Sequence, residues 1–88
     1  MRILIILPNM KIILTNHAKY RMQERKISKS EVVAAILSPD KEGKHDGKSV
    51  AMKVRNNMHL LIVYYVTDKM LIRVITVITT SKISKYFK

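Results

Sequence analysis

Residues 50–79 read VAMKVRNNMHLLIVYYVTDKMLIRVITVIT, and their period decides the fold. Val50, Met52 and Val54 alternate with Ala51, Lys53 and Arg55. A spacing of two predicts a half-exposed strand. Asn56-Asn57 tolerates positive φ and suits a tight hairpin turn. Met58 to Val66 is apolar on both faces, so it is expected to be a central strand. Thr67-Asp68-Lys69 predicts a second turn. Met70 to Thr79 predicts a further strand, with Arg73 and Thr76 as its polar interruptions. The stretch reads as a three-strand antiparallel meander.

Working outward from it, the preceding residues are helical. Ser28 is followed three residues later by Glu31, the spacing of a capping box. Ile27 before the cap and Val32 inside the helix match a hydrophobic staple. This helix is expected over Lys29 to about Leu37, and Pro39 stops it. An earlier helix, about His17 to Lys26, follows Thr15 and Asn16, both good N-cap residues. Lys11 to Leu14 is a short β-prone run, and Ile3 to Leu7 reads as another ahead of it. Residues 38–49, SPDKEGKHDGKS, hold both glycines and read as a polar, mobile loop. The tail SKISKYFK is basic and reads as a short helix or a frayed end. The expected fold is α+β: two N-terminal helices packed on one face of an antiparallel sheet, in the order β-α-α-β-β-β. Residues 1–88 are read as one domain. Met10 is an alternative start, so residues 1–9 are either an extra strand or a dispensable extension. Residues 81–88 are a basic tail.

Eighty-eight residues with 48% hydrophobic content build one modest core. A domain of this size buries only roughly 60–65% of its unfolded surface. Seventeen Lys and Arg face six Asp and Glu, a net charge of +11. That excess favours a polyanionic partner. Without cysteine, disulfides and thiolate metal sites are excluded. Arg2 followed by Ile3 to Leu7 faintly resembles a signal peptide, but Pro8 and Lys11 interrupt it and no small-x-small site follows. No stretch approaches a membrane span of roughly 18–20 apolar residues. The expected localisation is cytoplasmic.

The acids are scattered and the histidines His17, His45 and His59 show no ligand spacing, so no metal or other cofactor is expected. Gly43 and Gly47 lack the strand–loop–helix context of a phosphate loop. The remaining candidates are cationic. On a helix, His17, Arg21 and Arg25 fall at about 0°, 40° and 80°, beside Ala18 and Met22 at about 100° and 140°. They form one stripe bordering the apolar face. Two guanidiniums can grip a phosphate, and a histidine near a helix N-terminus is biased towards the neutral base. Alternatively, the arginines lie over the core and pair with Glu24 while His17 helps to cap the helix. Lys53 and Arg55 share the less apolar face of their strand. Arg73 interrupts an apolar strand and needs an edge, a partner or a ligand. With Lys82, Lys85 and the tyrosines Tyr64, Tyr65 and Tyr86, these cations fit RNA binding by phosphate contact and stacking. Solvated lysines and tyrosines divided between core and surface fit equally well.

The stretch KIILTNHAKYRMQERKISKSEVVAAILSPDK resembles the opening of a family of small uncharacterised prokaryotic domains. The shared pattern is a His-Ala-x-x-Arg-Met-x-x-Arg helix, then Ile-Ser and a second helix ending near Pro-Asp. Here these are His17, Ala18, Arg21, Met22, Arg25, Ile27, Ser28, Pro39 and Asp40. That family resembles the RelE/ParE-like toxin superfamily, including BrnT-type ribonuclease toxins. The resemblance implies a RelE/ParE-like fold and a protein acting on RNA or the ribosome, with an acidic antitoxin as partner. The resemblance implies an active toxin or a relative that kept the fold without the activity; a nuclease of this kind would be metal-independent. His17 would be acid or base, Arg21, Arg25 and Arg73 phosphate clamps, and Tyr86 and Lys85 further candidates because such toxins carry catalytic groups near the C-terminus. The rival expectations are a non-catalytic basic module binding nucleic acid or an acidic protein, and a structural homodimer whose stripe is paired internally.

Overall fold

The computed structural model describes residues 3–7, 10–56 and 59–86, with side chains over 11–55 and 59–85. Its order is β1 (Ile3–Leu7), β2 (Met10–Leu14), α1 (Asn16–Arg25), α2 (Lys29–Leu37), β3 (Lys41–His45), β4 (Lys48–Asn56), β5 (His59–Asp68), β6 (Leu71–Thr80) and α3 (Ile83–Tyr86). The strands form one six-stranded sheet in the order β1-β2-β6-β5-β4-β3.

This corrects the expected fold class in three respects. The sheet is mixed, because β2 runs parallel to β6 with Lys11 beside Leu71 and Leu14 beside Val74. The helices follow a β-hairpin and are short. The 38–49 segment is not a loop: Lys41–His45 pairs with Lys48–Met52 as an antiparallel edge hairpin. Hydrophobic period could not reveal β3, since all five of its residues are exposed. Nor does period carry strand direction, so the parallel pair was invisible to it. Of the expected Asn56-Asn57 turn, Asn56 is the last residue of β4 and Asn57 lies outside the described residues.

Local chemistry sets the elements. Thr15 caps α1, its Oγ1 accepting from the Ala18 N–H at 3.1 Å. The same hydroxyl donates to the Ile75 carbonyl at 3.1 Å, tying the helix start to β6. Ser28 and Glu31 close the capping box of α2. Ala18, Met22, Ile27, Val32, Ala35 and Ile36 pack on Ile12, Leu14, Ala51, Leu61, Val63, Ile72, Val74 and Val77, so α1 and α2 cover one sheet face.

The strand alternation would put Val74 and Val77 on opposite faces. Both lie in that core because the β5–β6 register shifts there, from Tyr64 beside Thr76 to Tyr65 beside Val74. Ile75 is the extra residue, and such a bulge resets which side chains face inward. A second bulge lies between Val54 and Asn56. The opposite face holds a smaller cluster, Val50, Leu60 and Ile62, with Met52, Tyr64, Ile78 and Ile83 against it. Ile83 belongs to α3, which closes that end of the face. The other end has no helix over it among the described residues.

Candidate nucleic-acid interface

The expected cations divide between two sides of the sheet. On α1, His17 and Arg25 are exposed. Arg21 donates from Nη1 to Glu24 at 3.1 Å, with about 36% of its side chain exposed. Tyr20 donates its hydroxyl to the same carboxylate at 3.3 Å. The pairing of Arg21 with Glu24 is therefore present. Arg25 and His17 have no bonded partner among the described residues.

Arg73 lies on the other side. Its neighbours in sequence, Ile72 and Val74, both point into the helix-covered core, so Arg73 points the opposite way. It is exposed, on a strand with neighbours on both sides, beside Val66 of β5 and Ile13 of β2. It has no ion pair or hydrogen bond among the described residues. The sheet thus separates Arg73 from His17, Arg21 and Arg25, and the expected catalytic set is not assembled. Tyr86 lies in α3, but its side chain is outside the described residues. Lys82, just before that helix, and Lys85, within it, are exposed.

Lys53 and Arg55, expected on an open sheet face, lie instead on the helix side. Lys53 Nζ donates to the Ser38 carbonyl at the end of α2, at 2.8 Å. Arg55 Nε donates to Glu31 at 2.6 Å, and Nη2 reaches the Lys26 carbonyl at 3.1 Å. Its position at the β4 bulge accompanies this aim towards the helices. The Arg55 hydrogen bond, opposed by partial burial and joined by the Ser28 N–H, holds the Glu31 carboxyl below its usual value. Arg55 thus braces the α1–α2 junction, and Lys53 the C-terminal end of α2.

Sequence reasoning missed two further cations on the Arg73 side of the sheet. Lys48 precedes Val50 by two residues and Lys11 precedes Ile13 by two, so strand alternation puts both on its side. Neither has a partner among the described residues. His45 meets Tyr64 edge to face at 6.1 Å on the same side. The carboxylates here are Asp68 and Asp46, and Asp46 lies 3.4 Å from His45. The pairing of β3 with β4, which sets His45 beside Lys48, brings His45 to this face. Tyr65 points to the helix side, its phenol pushed up by burial and the Glu42 charge, with a Ser49 hydrogen bond opposing. Among the described residues no His, Asp and Glu cluster has the arrangement to hold a metal ion, and no helix is long and apolar enough to cross a membrane.

The fold and this surface define a small basic domain with one helix-covered and one partly open sheet face. The chain belongs to the family described as a domain of unknown function (DUF4258), whose profile matches residues 14–79. Nothing in that match ties it to RelE/ParE-like toxins. No curated protein and no solved structure matches the chain.

Proposed function

We propose that this chain is a non-catalytic RNA-binding module that uses the open sheet face. The observation that carries the reading is Arg73. An exposed, unpaired guanidinium flanked by Ile72 and Val74 on a mostly apolar strand is suited to a phosphate. Lys11 and Lys48 extend the positive surface across neighbouring strands, and Tyr64 with His45 supplies ring surface for an unpaired base. A net charge of +11 adds long-range attraction.

The ribonuclease-toxin reading requires a base, an acid and cations around one phosphate. With Arg73 across the sheet, the expected clamps that stay beside His17 are Arg21 and Arg25. The rival partner, an acidic protein such as an antitoxin, draws on the same net charge but leaves the ring surface unused.

Fluorescence anisotropy with a labelled single-stranded RNA tests the proposal. Binding is expected to weaken linearly on a log–log salt plot, and Arg73→Gln is expected to reduce the slope by about 0.7 for one lost single-strand phosphate contact. The RNA is expected to stay intact in EDTA. Fragments with 2′,3′-cyclic ends that disappear in His17→Ala would restore the nuclease reading. No retention at low salt would remove RNA binding altogether.

A further inference from the structure

We propose that β1 is a self-pairing edge through which two copies of this chain join antiparallel. The sheet has two edge strands, β1 and β3, and they differ in character. β3 is Lys-Glu-Gly-Lys-His, exposed throughout and charged, the composition that blocks further strand pairing. The stretch of β4 beyond β3 is also guarded. Asp40 accepts from the Val54 N–H at 2.8 Å and so occupies a backbone donor that a new strand would need. β1 is Ile-Leu-Ile-Ile-Leu, without a charge, proline or glycine. Its partner among the described strands is β2 alone. Every second residue of such a strand offers its N–H and C=O outward.

The occupant follows from the sequence of β1 itself. A two-fold axis through Ile5 sets Ile3 against Leu7, Leu4 against Ile6 and Ile5 against Ile5. Every position meets an isoleucine or leucine, and no like charges oppose within the strand. Residues paired this way are an even number apart, so outward backbone groups meet outward groups whichever set β1 presents. A two-fold contact is self-closing and stops at two copies. The axis stands perpendicular to the sheet, so the two Arg73-bearing faces lie side by side. One strand pair buries less than the roughly 1,200–2,000 Å² of a standard interface. The dimer is therefore concentration-dependent rather than obligate.

Sedimentation of the full chain, at salt sufficient to screen its charge, tests this. The apparent mass is expected to double from 10.2 kDa as concentration rises. Ile5→Lys, which opposes two lysines on the axis, is expected to remain monomeric with an unchanged circular dichroism spectrum. Should that variant misfold, hydrogen exchange on the unmodified chain decides. β1 amides are expected to gain protection with concentration while β3 amides do not. A mass that stays single, one that grows beyond double, or a dimer whose β1 exchange ignores concentration overturns the proposal.

Discussion

Arg55 and Glu31 form a half-buried, charge-assisted pair at 2.6 Å, with 21% and 34% of their side chains exposed. Such a pair holds α2 on β4 and leaves an unsatisfied carboxylate if one partner is removed. Arg55→Gln is expected to cost about 1–3 kcal/mol in denaturant unfolding at neutral pH. Because the folded Glu31 carboxyl titrates below its ordinary value of 4.5, its stabilising contribution is present above that pH. It is lost as pH falls through the lower folded value. Acid unfolding of the native chain is therefore expected to be steeper below about pH 4.5 than that of Arg55→Gln. Glu24 behaves differently, because its partners Arg21 and Tyr20 are solvent-exposed and such contacts stabilise little. Glu24→Gln is expected to leave unfolding within about 1 kcal/mol of the native chain. On the proposed reading, in which RNA uses the other face, it is also expected to leave the effect of Arg73→Gln unaltered. A large gain in RNA affinity from Glu24→Gln would instead return the α1 stripe to the centre of the site. The sequence offered both fates for Arg21; the 3.1 Å contact selects the paired one.

At the scale of elements, both helices start where their caps predict, since a cap is a contact across three residues and lies wholly in the local sequence. Ser28→Ala is expected to cost about 1 kcal/mol, read by thermal unfolding, through loss of the N–H acceptor for Glu31. The end of α1 is less well served. Lys26 sits in the left-handed region at φ 55°, ψ 50°, which a side chain with a Cβ resists. Lys26→Gly is expected to raise stability by up to about 1 kcal/mol. Helix-forming period and caps were legible from residues 15–39; β3 was not. A charged edge strand has no apolar face to announce it and exists only because β4 offers it backbone partners. The β6 bulge was equally silent. It shows as two valines, Val74 and Val77, that strict alternation would separate.

For the whole molecule, charge imbalance outweighs the ion pairs. Lys11, Arg25, Lys29, Lys48, Lys69 and Arg73 lack a partner among the described residues, and the net charge is +11. Added salt weakens both attraction and repulsion, and with this excess repulsion dominates. The melting temperature is expected to rise between low and moderate salt in scanning calorimetry, by about 4–8 °C for each kcal/mol of relieved repulsion. A fall would mean that the pairs Arg55–Glu31 and Arg21–Glu24 outweigh it. By itself the sequence determined the helices, the three long strands and the positive charge, because period, capping and composition are properties of neighbouring residues. Only the tertiary structure decided strand direction, the sixth strand and the distribution of cations between faces. Those depend on which strand lies beside which. That is how Arg55 and Lys53 came to brace helices while Arg73, beyond the same sheet, stayed open to solvent.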